Sequence, residues 1–476
     1  MTLMQFRQSL DKSDLVTSLR QGVIGEGMII PGLNGDVRLV YADYVASGRA
    51  LEPVENYIRD KVLPYYANSH TEASFCGSYM TRLRSEARAE IARLTGADDD
   101  CSVIFTGSGA TSGLNRLVGL FGIDVARQPV VFIGPYEHHS NILPWRESKA
   151  TVVEIPESET GGVDLGALED ALIEYKSADL KIGSFSAASN VTGILTSPDD
   201  ITRLLKKHNA LSVWDYAGGA PYLAINMNPA EDAQKDAVVL SPHKFPGGPG
   251  ASGVLVVRGS AVSRTSPTAP GGGTVTYVSP WDHHFTANLA AREEAGTPNI
   301  IGDIRAALAL IVKEEIGQDF ISTREEQMNA RALAEWRNNP HLTLLGAEQK
   351  HRLPIFSFLV HKSDGSHFHH QLFTRMLSDI YGIQTRGGCA CAGPYGHQLL
   401  GIDSETSRRL YDEIAQGNEL EKPGWVRLNF SYLLSDETVQ YIIDSVNDLT
   451  ARLDEYEDFY TVDAATARFT PKKLSA

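Results

Sequence analysis

Lys244 stands in the segment AVVLSPHKFPGGPGASGVLVVR, between two apolar runs and inside a turn rich in glycine and proline. Glycines permit close approach of a ligand to the backbone. An amine screened from water there is biased toward the neutral form that condenses with a carbonyl. A lone turn lysine would more simply be solvated, so its company matters. Asp215 closes the run LSVWD, where a carboxylate can keep an aromatic ring nitrogen protonated. In FTGSGATSGLNRLVG (105–119) a strand runs into a hydroxyl-rich turn and then a helix. Free N–H groups at that helix start, opened by Gly109, Ala110 and Thr111, form a phosphate cradle together with Thr111 and Ser108 or Ser112 hydroxyls. The loop lacks both the Walker A ending and a full G-x-G-x-x-G. His138 or His139, in PYEHHSNILPW, follows a strand and can stack on a planar ring. Asn190, in SFSAASNVTGIL, follows another and can donate to a phenolic oxygen.

An amine, a ring-nitrogen acid, a phosphate cradle and a stacking ring together point to pyridoxal phosphate, carried as a Schiff base on Lys244. A second centre lies in RGGCACAGP (386–394), which holds Cys389 and Cys391. Its glycines suit a mobile loop, and Arg386 favours a thiolate. Zinc is not expected, because no second pair completes a four-ligand site. His367, His369 and His370, in SHFHHQLF, read as the beginning of a helix, and Cys76 and Cys101 as small buried residues.

Elements must hold these groups in place. Seven short runs are nearly all apolar: CSVIF (101–105), PVVFIG (129–134), TVVEI (151–155), LKIGSFS (180–186), LSVWD (211–215), AVVLS (237–241) and GVLVVR (253–258). Strands buried on both faces look like this. Helical stretches alternate with them, including 164–176 and 198–210, the latter with Ser197 as N-cap and Pro198 at its first position. The pattern predicts an α/β fold with a mainly parallel seven-stranded sheet between helices, with ligands beyond the carboxyl ends of the strands. After about residue 300 the pattern changes to a smaller α+β domain. Residues 1–40, a helix and a Gly-rich connection, are expected to pack with it, leaving 41–300 as the large domain and 301–476 as the small one.

The chain has 476 residues and a net charge of −16. No basic block marks a nucleic-acid footprint, and no apolar run is long enough to span a bilayer. Four cysteines and an N-terminus without an apolar signal core predict a cytoplasmic protein.

The segments GATSGLN, EHHSNILPW, SNVTG, WDYAG, SPHK, EAGTPN, TRGGCAC and VRLNFS occur in that order. With them the chain resembles class-V, fold-type-I pyridoxal-phosphate enzymes from residue 41 to about 432, most of all the cysteine desulfurase and selenocysteine lyase group. The resemblance implies that Lys244 carries the cofactor and shuttles the proton. Asp215 pairs with the pyridinium, Ala217 packs on the ring and His138 stacks on it. Ser241, His243 and Thr111 hold the phosphate. Thr297 reaches the phosphate of a neighbouring subunit, which implies a homodimer. Arg427, helped by Asn190 and with Arg386 nearby, binds the substrate carboxylate. Counted from Arg386, Cys391 stands where the family's nucleophile stands, with Cys389 an extra thiol. The chain departs from the desulfurase pattern at Gly218, where a glutamine is usual, and at Ala110, where a hydroxyl is common. The expected activity is conversion of L-cysteine to L-alanine with a persulfide on Cys391, passed to an acceptor such as a protein. The alternatives are another class-V reaction (a selenocysteine or other C–S lyase, an epimerase, an aminotransferase) or a non-catalytic sulfur-relay protein.

Overall fold

A computed structural model describes residues 3–10, 12–69 and 71–472. The chain forms two compact units, one comprising the residues up to Ile24, Ser47–Ala188 and Leu195–Ile321, the other Gly25–Ala46, Ser189–Ile194 and the residues from Ser322 onward.

The first unit is built on seven strands: β1 (Cys101–Gly107), β2 (Pro129–Ile133), β3 (Thr151–Glu154), β4 (Leu180–Ser186), β5 (Leu211–Asp215), β6 (Ala237–Leu240) and β7 (Gly253–Arg258). Their order in the sheet is β1-β7-β6-β5-β4-β2-β3. The pairs from β6 through β3 are all parallel, and β7 alone runs antiparallel to both of its neighbours. Strands β1 to β6 therefore point the same way, and their carboxyl ends share one edge. Every residue of β2, β6 and β7 is buried, which is why these runs are apolar throughout rather than alternating. Helices α1 (Phe75–Leu94), α2 (Gly109–Leu120), α3 (Leu165–Glu174), α4 (Pro198–Lys207) and α5 (Ile300–Ile316) belong to the same unit. Asp164 caps α3 by accepting from the Ala167 amide. Ser197 occupies the N-cap of α4 but makes no capping bond; that helix relies on Pro198, on Asp199 and Asp200 in its first turn and on Lys206 and Lys207 in its last.

The second unit centres on an antiparallel sheet of β8 (Leu342–Leu344), β9 (Ile355–His361), β10 (His367–Phe368), β11 (Arg386–Gly388) and β12 (Trp425–Asn429). Its order is β8-β9-β12-β11, with β10 pairing β9. Helices α6 (His370–Tyr381), α7 (Gly393–Leu400), α8 (Ser404–Ala415) and α9 (Asp436–Ala451) accompany it. The core gathers Trp336, Phe356, Phe358, Phe373 and Phe430. His369 does begin a helix: its imidazole accepts from the Gln371 amide as the N-cap of α6, while His367 lies in β10.

The unit boundaries differ from the contiguous division expected from the sequence. Residues up to Ile24 go with the first unit, where Phe6 packs edge-on to Tyr57 and the Leu3 amide donates to Glu86. Residues 25–46 go with the second, where Val40–Tyr41 pairs in parallel with Ile383–Gln384. They also contain a hairpin, Ile29–Gly32 with Gly35–Arg38, where only a Gly-rich connection was expected. Ser189–Ile194 joins the second unit because Ser357 donates to the Val191 carbonyl and the Leu353 amide to that of Gly193.

Glu294, the first residue of EAGTPN, ties α1 to β1 in the first unit. It accepts from the Phe105 amide at 2.7 Å, from both terminal nitrogens of Arg88 at 2.8 Å and from Arg84, which also bonds Asp303 at 2.6 Å. Burial would raise the Glu294 pKa, but the hydrogen bonds and charge of Arg88 and Arg84 outweigh it and hold the carboxyl below its ordinary value. Removing the acid leaves Arg84 with Asp303 and Arg88 with the Val103 carbonyl, so Glu294→Ala should cost about 2–3 kcal/mol of stability in urea unfolding. A loss below about 1 kcal/mol would mean that other groups satisfy the two arginines.

Candidate functional site

Asp215 ends β5, beside Ser186 of β4 and Val239 of β6. Its carboxylate accepts from the Ala217 amide at 2.8 Å, which turns the chain sharply after the strand. Burial pushes its pKa up, against the pull of that amide and of the Lys244 charge. Lys244 lies at the end of a single 3-10 turn, Pro242–Lys244, that follows β6. The same ammonium and burial push His243 down to about 4, so its imidazole is neutral at neutral pH.

Ser241 and His243 face the start of α2. Gly109 has φ +60°, and a Cβ there would lie 3.0 Å from Ser241 Oγ and 3.2 Å from His243 Cε1. Only glycine allows that approach. The Ala110 amide donates to Ser241 Oγ at 3.0 Å, so that N–H is already engaged. Thr111 Oγ1 meets Ser140 Oγ at 2.7 Å, and Ser140 Oγ meets His138 Nδ1 at 2.9 Å. The Ser140 amide donates to the same Nδ1, which leaves the ring proton of a neutral His138 on Nε2. His138 thus belongs to a hydrogen-bonded chain that reaches Thr111.

Beneath His138 lies a group that the sequence reading left out. Glu137 accepts from the Ser186 amide at 2.9 Å, from Ser186 Oγ at 2.7 Å and from Asn141 Nδ2. Asn141 Oδ1 in turn accepts from Trp145 Nε1 and Ser184 Oγ. Burial raises the Glu137 pKa to about 7, with nearby Asp215 adding to the rise and the three hydrogen bonds opposing it. The signal was present: an acid four residues beyond an all-apolar strand must find partners once buried.

The first unit therefore brings together Lys244, Asp215 and Ala217, and likewise Gly109, Ala110, Ser241 and His243, with Thr111 tied to His138. Hydroxyls of Thr111 and Ser241, a neutral imidazole and the amides at the start of α2 suit a phosphate. The buried Asp215 suits a protonated ring nitrogen, and Lys244 suits an aldehyde. The residues fit pyridoxal phosphate. Thr297 stands exposed in the connection that leads into α5.

The second unit gathers the rest. Arg427 of β12 is directly opposite Arg386 of β11. Two facing cations would repel, and Asp43 lies between them: its carboxylate accepts from Arg427 Nη2 and from Arg386 Nε, both at 3.1 Å. Asp43 was not singled out in the sequence; its only signal is a lone acid in the apolar run VYADYVAS. Arg427 Nη1 donates to the Asn190 carbonyl at 3.0 Å, and its buried Nε has no hydrogen-bond partner. A buried guanidinium with an unused donor is suited to a carboxylate. Asn190 is partly committed elsewhere, because its Nδ2 donates to the Ala390 carbonyl at 2.8 Å.

That carbonyl belongs to a tight turn. The Ala392 amide donates to the Cys389 carbonyl at 3.1 Å, and the residues between, Ala390 and Cys391, have φ of +51° and +54°. The sequence places glycines just before this turn, not within it. Cys391 is exposed, Cys389 is half-buried, and all four cysteines are free. Cys391 is near enough to act electrostatically on Arg427.

Residues 40–441 match the family model described as aminotransferase class-V. A protein named "Probable cysteine desulfurase" from Halalkalibacterium halodurans is 28% identical over 410 residues, covering 83% of this chain and 96% of its own. One of the same name from Staphylococcus epidermidis is 28% identical over 397 residues, covering 82% and 92%. Among solved structures, the apo cysteine desulfurase of Thermococcus onnurineus superposes with a TM-score of 0.72 at 25% identity, covering 87% of this chain and 95% of its own. The cysteine desulfurase CsdA from Escherichia coli, at 21% identity and a TM-score of 0.69 over 95% of this chain and 99% of its own, shares the fold.

Glu137 generates a pH prediction. A carboxyl whose pKa is higher in the fold than in the unfolded chain favours the fold while protonated. That contribution is complete below its ordinary 4.5 and is lost as pH rises through about 7. Over this window the wild type should lose on the order of 3 kcal/mol more stability than Glu137→Gln, measured by urea unfolding at a series of pH values. Parallel pH profiles for the two proteins would contradict it.

Proposed function

The chain belongs to the aminotransferase class-V family, and on that premise we propose that it is a pyridoxal-phosphate-dependent cysteine desulfurase, converting L-cysteine to L-alanine and leaving the sulfur as a persulfide on Cys391. The names of its relatives, which align over most of the chain, support the reading. The observation that carries it is Cys391 itself: an exposed thiol on a tight left-handed turn, within electrostatic reach of Arg427.

Pyridoxal phosphate, when bound, supplies an aldehyde that takes up amines and a ring that spreads negative charge from the substrate α-carbon. Gly109, Ala110, Thr111, Ser241 and His243 would hold its phosphate, His138 and Ala217 would pack on its ring, and Asp215 would keep the ring nitrogen protonated. Lys244 Nζ anchors the group and moves the α-proton. Arg427 binds the substrate carboxylate through Nε and the planar fork, and Asp43 fixes that guanidinium from the other side. Asn190 keeps one amide N–H for the bound amino acid and gives the other to the cysteine turn. Cys391 Sγ attacks the substrate sulfur, a new S–S bond forms as the C–S bond breaks, the C–S electron pair stays with the β-carbon, which takes up a proton, and alanine departs. A thiol acceptor then removes the sulfur.

The active form is a homodimer in which Thr297 reaches the partner's phosphate. Its exposure is compatible with that role. The cytosol is the setting in which four free thiols stay reduced. Among the described residues no helix is long and apolar enough to cross a membrane.

The reading is tested by a visible spectrum of the purified protein, followed by addition of L-cysteine with alanine and sulfide assayed together. The wild type should carry the cofactor's absorption band and form both products in step. Lys244→Ala should lose band and turnover, and Cys391→Ser should keep the band and lose both products. A band with no products from cysteine would move the chain to another class-V reaction; no band after added pyridoxal phosphate would overturn the assignment. Arg427→Ala should raise KM about ten- to a hundredfold, the loss of a charge-assisted pair, and an unchanged KM would reject the carboxylate clamp.

A further inference from the structure

Cys389 has a setting of its own. It lines a cavity of about 230 Å³ whose wall is mostly apolar, with Leu400, Leu410, Ile414 and Trp425 among its residues and the polar His397 and Ser407 bonded to each other. The cavity lies under α8, an amphipathic helix with no buried residue, so its apolar side is not filled by packing. No carboxylate among the described residues lines it, and one ammonium, that of Lys422, does. Lys422 is half-exposed, and its ammonium meets Glu419 at 3.4 Å. A soft, weakly hydrated sulfur anion suits an apolar wall with a single cation at its rim better than a carboxylate or a phosphate would.

The two thiols are two residues apart, a span of at most about 7 Å even in an extended chain. Here the chain is folded back by the bond from the Ala392 amide to the Cys389 carbonyl. Sulfurs on residues this close can exchange. Resting on the desulfurase reading, we infer that Cys389 is a second sulfur site: it takes the sulfane sulfur from Cys391 and holds it in the cavity beneath α8. In this step the Cys389 thiolate attacks the outer sulfur of the Cys391 persulfide. The bond between Cys391 Sγ and that sulfur breaks, one between it and Cys389 Sγ forms, and the Cys389 proton ends on Cys391. No oxidant or reductant is consumed. Cys391 is then free for a second substrate while the first sulfur is sheltered.

The test uses the holoenzyme given one equivalent of L-cysteine without a thiol acceptor, then trapped with iodoacetamide at intervals. The tryptic peptide Gly387–Arg408 contains both cysteines, and tandem mass spectrometry assigns the extra sulfur to one of them. The persulfide should appear on Cys391 first and then mainly on Cys389. It should stay on Cys391 in Cys389→Ser and be absent from both positions in Cys391→Ser. Lys422→Gln, at an exposed position, should lower the Cys389 to Cys391 ratio about two- to fivefold, as for a half-exposed ion pair. Persulfide confined to Cys391 at all times overturns the inference, as does a Cys389–Cys391 disulfide with free sulfide. Absence of both alanine and persulfide overturns the desulfurase reading itself, and the second site with it.

Discussion

The first unit depends on keeping one carboxylate, Asp215, buried at the carboxyl end of a central parallel strand. Water would solvate that charge far better than the protein interior does, so it is retained only with partners. The Ala217 amide gives one hydrogen bond and Lys244 gives opposite charge. Both come from chain segments that leave the same sheet edge, the first from β5 itself and the second from β6 next to it. The strand order matters here. Because β7 alone is reversed, β1 ends at the same edge as β6 despite its antiparallel neighbour, which brings the start of α2 to Ser241 and His243. One reversed strand thus allows the cradle and the lysine to meet.

Around Asp215 a second buried acid does a different task. Glu137 binds both polar groups of Ser186, whose backbone is the register partner of Asp215. It also holds Asn141, which fixes Trp145 and Ser184. The turn that presents His138 is therefore anchored from below by side chains and from its outer face by Ser140. Two acids in one low-dielectric region raise each other's cost of ionisation. Burial raises the pKa of both: that of Glu137, held by three donors, to about 7, and that of Asp215 against the pull of the Ala217 amide and the Lys244 charge.

The seven strands were legible because burial on both faces writes continuous apolar runs, and each strand came within two residues of its expected ends. The cofactor-side residues were legible for a related reason: in a parallel sheet, polar groups directly after strand ends collect at one edge. What could not be read was non-local. Asp43 joins Arg427 across 384 positions of sequence, and nothing in a single chain announces that pairing. The short segment Ser189–Ile194 leaves the first unit for the second because of hydrogen bonds to the distant Leu353 and Ser357, again invisible to local pattern. The hairpin at 29–38 is nearly all half-exposed or exposed, so it lacks the apolar alternation that marks a strand.

The cysteine turn shows where local rules are broken to a purpose. Ala390 and Cys391 both take left-handed φ values that side chains with a Cβ avoid, at roughly 1–2 kcal/mol each. Glycine would adopt the same turn without that cost, and Gly387 and Gly388 stand immediately beside it, yet alanine and cysteine hold the strained positions. Such a conformation persists only where its surroundings impose it. Here the Ala392 amide closes the turn and Asn190 binds the carbonyl of its central residue, so the strain is offset by two hydrogen bonds, one of them from a side chain. A relaxed turn would need neither. Asn190 thus helps to hold the turn that presents Cys391. One amide hydrogen of Asn190 serves the turn and the other remains for a bound amino acid, so the turn that presents Cys391 and the Arg427 clamp share one side chain.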